Sequence, residues 1–269
     1  MQIPHDRNSK KIMDMKNNIV LIILSLSFFL LHSCDKKNES EYLSKIGKTI
    51  DGKRVIEKQI NDTLLIKDTY NLEKLESKFE YCRDKNSKRW ILNGQFVNYY
   101  PSGKIQIKGS FDKGVRIGNW YYYSEEGLIS EFEEYVIDSS YYWGEIVNQY
   151  IKYKDGKIEE NKNNHYFDLI SFQDTILFLE PFVFRVKLND PMYSQGMFIC
   201  IGDFDKYYRL KSGGKIDTIR CNSFDEVISY SNYRKGKNEL GGIIINYDSL
   251  DSYKITPYYF RLNFFVDDK

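Results

Sequence analysis

Apolar and polar positions alternate along the second half of the chain, which is the pattern of strands that are buried on one side. The clearest run is 258–266, where apolar side chains occupy every second position. Further short apolar runs predict six more strands, at 175–179, 182–188, 197–201, 207–210, 218–221 and 242–247. About seven short strands within 163–269 predict a β-sandwich, with one continuous curved sheet as the alternative.

Glycine and aromatic residues in the first half recur with a spacing of 24 residues. The recurring pairs are Gly94 and Gly118, Phe96 and Trp120, Tyr99 and Tyr123, Gly103 and Gly127, Ile105 and Ile129, and Phe111 and Tyr135. A fixed period of this size indicates stacked supersecondary units. A degenerate third copy runs from Gly144 to Gly156. The segment 88–160 is therefore predicted to form a sheet of stacked antiparallel β-hairpins.

The segment 51–87 leads into these repeats. Two β-prone runs, 54–60 and 63–67, flank Asn61 and Asp62, and they predict a hairpin. Leu72, Leu75 and Phe79 have helical spacing, so a short helix is predicted over 71–80. The predicted fold class is all-β, with stacked hairpin repeats followed by a β-sandwich-like domain.

The repeat resembles the MORN-variant repeat of bacterial proteins. The resemblance rests on a glycine and aromatic pattern at Gly94, Phe96, Tyr99, Gly103, Gly109, Phe111, Gly114, Gly118, Trp120, Tyr123 and Gly127. It implies antiparallel hairpins stacked into a sheet. It also implies an interaction scaffold, because the family has no shared catalytic residue.

The N-terminus has the pattern of an export signal. A basic region at Lys16 precedes the 13-residue apolar run 19–31, which is shorter than the roughly 20 residues that a membrane-spanning helix needs. The run ends in Leu31-His32-Ser33-Cys34, which resembles the lipobox of bacterial lipoproteins. The resemblance implies that 1–33 is removed and that Cys34 is acylated. Met15 is an alternative start, because it gives a more compact basic region than Met1.

Lipidation at Cys34 would place the protein in the bacterial cell envelope, at an outer membrane or the cell surface rather than the inner membrane. Residues 34–50 would then form a polar tether. The chain has 39 basic and 38 acidic side chains, and its net charge is +1. Neither this charge nor export favours a nucleic-acid partner, so the expected partners are the membrane and a protein or glycan.

Histidine is scarce, which limits the metal sites and the catalytic sites that the chain could form. The chain has His5, His32 and His165, and the first two precede Cys34. A multi-histidine metal site is therefore excluded, and His165 is interpreted as structural or solvent-facing. We predict no catalytic residue, no metal and no cofactor. Asp203 and Asp205 are read as turn residues, as are the pairs Gly213-Gly214 and Gly241-Gly242.

Three cysteines remain after Cys34. Cys200 and Cys221 lie on strands predicted to be adjacent, and a disulfide between them is one hypothesis. The alternative is that both are small buried apolar residues. Cys82 has no neighbouring histidine or basic motif, so it is a poor nucleophile candidate.

The leading hypothesis is a lipid-anchored, non-catalytic binding or scaffold protein. Exposed aromatic patches mark interaction sites, so Tyr99, Tyr100, Tyr121 and Tyr122 are the predicted contact residues. One alternative is an envelope hydrolase with paired carboxylates, for which Glu125-Glu126 and Glu131, Glu133 and Glu134 are candidates. The other alternative is a lipoprotein that binds a small molecule or a metal.

Overall fold

The computed structural model describes residues 44–48, 52–138, 144–160, 163–189, 191–248 and 251–268. The segment 1–33 and Cys34 lie outside these residues. Every regular element in the described ranges is a β-strand, which confirms the predicted all-β class. Within the described ranges no helix could cross a bilayer.

The strands are named β1 to β18 in chain order. Their bounds are β1 Ser44–Lys48, β2 Arg54–Gln59, β3 Leu64–Asn71, β4 Lys74–Arg83, β5 Trp90–Tyr99, β6 Ile105–Asp112, β7 Val115–Tyr123, β8 Ile129–Ile137, β9 Glu145–Lys154, β10 Lys157–Ile158, β11 Tyr166–Ser171, β12 Thr175–Leu177, β13 Phe182–Asn189, β14 Gly196–Gly202, β15 Ile216–Arg220, β16 Asp225–Tyr230, β17 Gly236–Asp248 and β18 Asp251–Asp267.

Strands β1 to β10 form one ten-stranded sheet in which each strand neighbours the next along the chain. The hairpins predicted over 88–160 are present in this sheet, and the strands of 51–87 pair into it as well. The hairpin predicted around Asn61 is confirmed as β2 and β3. Its turn is held by Asn61 Oδ1, which accepts from the amides of Thr63 and Leu64, both at 2.8 Å. Strand β1 occupies part of the predicted tether.

The helix predicted over 71–80 is wrong, because this segment ends β3 and continues as β4. Leu72 lies in the turn, with φ of 47°, and is 92% exposed. Strand β4 has a β-bulge between Leu75 and Ser77, since Leu75 pairs with Tyr70 whereas Ser77 pairs with Thr69. Leu75 and Phe79 therefore lie on opposite faces of the sheet, and their helical spacing does not reflect one apolar face.

An aromatic stack runs across one face of the ten-stranded sheet. Phe96 lies between Phe79 and Trp120, with ring centroids 4.7 and 5.5 Å away. Tyr135 continues the stack at 6.1 Å from Trp120. Aromatic pairs at these separations add about 0.5–1.5 kcal/mol each beyond their burial. The stack therefore joins successive hairpins through their equivalent positions.

Gly109 shows why the repeat needs glycine inside a strand. A Cβ built at this position would lie under 3.0 Å from ring atoms of Trp120. Trp120 is 3% exposed, so its ring has little room to move away. Only a residue without a side chain allows the indole to lie flat over the neighbouring strand.

The C-terminal sandwich consists of two facing sheets. The order is β11-β13-β16 in the three-stranded sheet and β12-β18-β17-β14-β15 in the five-stranded sheet. Both contribute to one core, whose members include Phe182, Phe184, Ile199, Ile244 and Phe264. Alternate residues of β13 enter this core, as its sequence pattern predicts.

Two details of the predicted strands differ in the sandwich. The segment 207–210 is a turn and an isolated bridge rather than a strand, because Asp205 bonds it into a tight loop. Gly241 and Gly242 lie inside β17 rather than in a turn. Phe204 and Phe260 pack on these two glycines, which explains their lack of side chains.

The ten-stranded sheet and the sandwich belong to one compact unit, Ser44–Lys269. The backbones of Tyr150 and His165 exchange hydrogen bonds of 2.8 and 3.0 Å at the junction. The buried Asn148 side chain accepts from the amide of Tyr259 at 2.7 Å and donates to its carbonyl at 2.8 Å. Asn148 thus satisfies the Tyr259 backbone much as a neighbouring strand would.

Candidate functional site

The four tyrosines predicted as contact residues do not share one surface. Tyr121 and Tyr122 are consecutive in β7, so their side chains point to opposite faces of the sheet. Tyr121 packs on Phe132 at 5.4 Å, and Tyr100 donates to the carbonyl of Tyr123 at 2.6 Å. Tyr99 pairs with Ile105 at the end of its strand. All four are half-buried within the sheet.

Glu133 is engaged by two tyrosine hydroxyls. Its Oε2 accepts from Tyr122 at 2.6 Å and from Tyr135 at 2.7 Å. Burial and this hydrogen bond raise the pKa of Tyr122 to about 12, and the same causes raise the pKa of Tyr135. Glu134 in turn accepts from Asn148 at 2.7 Å. The two carboxylates therefore hold strands together, and they belong to opposite faces as neighbours in β8.

The two cysteines of the hypothetical disulfide are unpaired in the structure. Cys200 is on the outer face of β14, where its Sγ lies 3.8 Å from Thr218 Oγ1. Cys221 follows β15 and packs into the core. The two thiols are separated by the five-stranded sheet because they lie on its opposite sides. Burial raises the pKa of Cys221 to about 11, which keeps it a thiol at neutral pH.

Asp205 is a turn residue, as the sequence predicts. Its carboxylate accepts from the amides of Tyr207 and Arg209 and pairs with the Arg209 guanidinium at 2.7 Å. These hydrogen bonds, led by the one from the Arg209 side chain, lower the pKa of Asp205. Asp203, two residues earlier, lines a cleft instead.

This cleft, of about 720 Å³, lies at one end of the sandwich. Three separate parts of the chain form it: 201–217, 230–241 and Phe264. The lining residues whose side chains carry polar groups are Asp203, Lys211, Ser212, Lys215, Asp217, Tyr230, Asn232, Tyr233, Arg234, Asn238 and Glu239. A concave site with convergent polar groups is the usual form of a ligand pocket, so this cleft is the candidate functional site.

Local hydrogen bonds fix both walls of the cleft. On one wall, Lys211 donates its amide to the Asp203 carbonyl, and Gly214 donates to the Lys211 carbonyl, each at 2.8 Å. On the other wall, Asn238 accepts from the amide of Arg234 at 3.1 Å and donates to its carbonyl at 2.6 Å. Because the backbone of both walls is held, their side chains face the cleft from set positions.

Two tyrosines bring apolar surface into the polar cleft. Tyr233 donates its hydroxyl to the Glu180 carbonyl, and its ring packs against Phe264 with centroids 6.0 Å apart. Burial, followed by the negative charges of Asp217 and Asp203, raises the pKa of Tyr230. Both rings therefore add aromatic surface to a lining that is otherwise mostly polar.

The sequence did not identify this cleft. Gly213-Gly214 was predicted as a turn, which is confirmed, and Gly213 has φ of 75°. Tyr230 ends β16, and Tyr233 and Arg234 follow it in a run of polar and aromatic residues that carries no recognisable motif. Only the folded chain brings this run opposite the 203–217 segment.

The described ranges contain no group of three or more histidine, cysteine, aspartate or glutamate side chains placed to hold a metal ion. In comparisons with known proteins, no family model and no curated protein matches the chain. The resemblances to lipoproteins and to MORN-variant repeats therefore stay predictions from the sequence.

Proposed function

We propose that this protein is a lipid-anchored protein of the bacterial envelope whose C-terminal sandwich binds a glycan without cleaving it. The observation that carries the binding proposal is the cleft of about 720 Å³ with its mixed lining. The Cys34 pattern supports the anchor, since two or three acyl chains would hold the protein firmly to a membrane.

The cleft lining suits a sugar chain. A sugar ring offers C–H faces that pack on aromatic rings, and Tyr230 and Tyr233 supply such rings. Its hydroxyls both donate and accept, and they match the carboxylates of Asp203 and Asp217 and the amide of Asn232. A concave cleft favours an extended, narrow ligand over the broad surface of a protein partner.

A glycan array probed with the full chain in detergent micelles tests the proposal. We expect one class of glycan to be retained, and we expect Asp217→Asn to weaken its binding about tenfold, because a charge-assisted hydrogen bond is lost. Asp174→Asn is the matched control, since Asp174 is exposed and does not line the cleft. If no glycan is retained, or if both variants bind like the native chain, the proposal is wrong.

The second candidate function is hydrolysis at the same cleft. It is favoured by one observation, the presence of two carboxylates, Asp203 and Asp217, in the lining of one cleft, because glycosidases act through two carboxylates. Incubating the retained glycan with the full chain and measuring its length by chromatography separates the two functions. Unchanged length supports binding alone. Shortening that Asp217→Asn abolishes would establish the hydrolase.

A further inference from the structure

Cationic side chains face the cleft from both walls. Lys211 and Lys215 flank the Gly213-Gly214 turn on one wall, and Arg234 lies on the other. Within the described part of the chain, none of the three has an acidic partner. Cations nearby in sequence do: Lys206 pairs with Asp112, Arg209 with Asp205, and Lys235 with Asp268.

The acidic residues of the cleft do not cancel this charge. Glu239 is already neutralised by Arg261, whose Nη1 lies 2.5 Å from Glu239 Oε1. Asp203 and Asp217 are left to face three cations. The unneutralised groups of the cleft therefore sum to about one positive charge, and they combine a cationic set with carboxylate acceptors.

Arg234 is the best placed of the three cations to recognise a carboxylate. Asn238 binds both its amide and its carbonyl, so the backbone is held while the guanidinium has no partner among the described residues. A guanidinium offers paired donors that match the two oxygens of a carboxylate, whereas a lysine acts as a point charge.

We propose that the glycan taken by the cleft carries sugar carboxylates, as uronic acids do. Arg234 would bind the carboxylate, with Lys211 and Lys215 beside it. Asp203 and Asp217 would accept hydrogen bonds from the sugar hydroxyls. This inference rests on the proposed function, because it names the class of glycan that the same cleft binds.

Matched pairs of probes test the inference. The array is printed with oligosaccharides that contain uronic acids, with the methyl esters of the same oligosaccharides, and with neutral hexose oligosaccharides. We expect the full chain to bind at least one free acid about tenfold or more tightly than its methyl ester, because esterification removes the charge that Arg234 would bind.

Variants connect the preference to the named cations. Arg234→Gln should remove most of the difference between acid and ester, and Lys211→Gln should reduce it. Arg220→Gln and Lys237→Gln are matched controls, since both residues are exposed and neither lines the cleft. Thermal unfolding of each variant shows whether it is folded.

The outcomes separate the two proposals. If neutral oligosaccharides and methyl esters bind as tightly as the acids, with binding still sensitive to Asp217→Asn, the acidic-sugar inference is overturned and glycan binding stands. If no probe binds, both proposals are overturned. If acids bind but Arg234→Gln and the Arg220→Gln control behave alike, the assignment to this cleft is overturned.

Discussion

In the ten-stranded sheet, Trp120 is buried beneath side chains of neighbouring strands, whereas Phe182 in the sandwich is buried between two facing sheets. The first arrangement is a row of contacts, in which each hairpin depends on its neighbours. The second is a shared core, in which every strand depends on the whole. The same aromatic composition thus supports a local row of contacts in one region and a closed core in the other.

The two regions also differ in how many of their polar groups are bonded within the fold. In the ten-stranded sheet, Tyr122 and Tyr135 donate to Glu133 and Tyr100 donates to a backbone carbonyl, so these three hydroxyls are used within the fold. The cleft of the sandwich includes charged groups, such as the Arg234 guanidinium, that have no partner among the residues the structure describes. Unused polar groups that converge in a cleft point to a ligand, whereas an abundance of aromatic residues does not.

The largest effect is expected from removing a side chain of the shared core. Phe184 is fully buried and packs on Phe182 and Phe260. Phe184→Ala should lower the free energy of unfolding by about 3–5 kcal/mol, measured by urea denaturation. Phe172→Ala is the control, because Phe172 is 55% exposed and should cost about 0.5 kcal/mol or less. Equal losses for both would contradict the core assignment.

In the ten-stranded sheet, Gly109→Ala should lower the free energy of unfolding, measured by urea denaturation, by about 1–3 kcal/mol. The reason is that the new methyl group would overlap the Trp120 ring. The double variant Gly109→Ala, Trp120→Leu should lose less than the sum of the two single changes, because the smaller side chain leaves room. Gly47→Ala is the matched control, since nothing lies within 4 Å of its position. Additive losses would show that the two residues do not touch.

Asn148→Ala should weaken the contact between the ten-stranded sheet and the sandwich. The change removes both hydrogen bonds to the Tyr259 backbone and should cost about 1–3 kcal/mol. Trp90 lies in β5 and Trp120 in β7, so their fluorescence follows the ten-stranded sheet, while circular dichroism follows the whole chain. We expect the two transitions to separate in this variant.

Asn98→Ala is the control for this experiment. It removes a 2.8 Å hydrogen bond to Gln106 inside the ten-stranded sheet, so it should not separate the transitions. Coincident transitions in Asn148→Ala would show that other contacts couple the two regions.

The smallest effects concern two tyrosine hydroxyls with raised pKa values. Tyr122 donates to Glu133, whereas the buried Tyr258 hydroxyl has no hydrogen-bond partner among the described residues. At pH 7, Tyr122→Phe should therefore cost about 0.5–1.5 kcal/mol, and Tyr258→Phe should be neutral or stabilising. Denaturation of both variants measures this difference, and a larger loss for Tyr258→Phe would contradict it.

The same two tyrosines make the stability of the fold depend on pH in the alkaline range. The folded chain holds the pKa of each at about 12, above the ordinary value of 10.0, so the protonated form is favoured by folding. Their contribution is complete below pH 10 and is lost as the pH rises toward 12. Each Phe variant should lose stability less steeply than the native chain over this range.

The sequence predicted a strand correctly where the apolar residues of its buried face recur at regular positions. The 24-residue period predicted stacked units, and the rings of Phe96 and Trp120, which are one period apart, lie 5.5 Å from each other. The alternation in β13 and β18 likewise gave the core positions of the sandwich. In contrast, a β-bulge in β4 interrupts the alternation between Leu75 and Phe79, so this strand was predicted as a helix, and strands β11 and β16 were not predicted.

The site was less predictable than the fold. The sequence favoured tyrosines of the repeat because aromatic residues were dense there, but density cannot show which hydroxyls are already bonded. The cleft residues are spread over 201–217 and 230–241. They line one cleft only because the ends of β14, β16 and β17 lie close together in the folded chain. A cation without a partner is a property of the folded chain and cannot be recognised from composition.

Hydrogen–deuterium exchange of the full chain, with and without the glycan retained on the array, tests the central claim most directly. If the cleft binds the glycan, exchange should slow in 201–217 and 230–241, while the hairpins 94–135 should be unchanged. Asp217→Asn should reduce this protection at the same glycan concentration. Protection confined to 94–135 would contradict the account and move the binding surface to the aromatic face of the ten-stranded sheet.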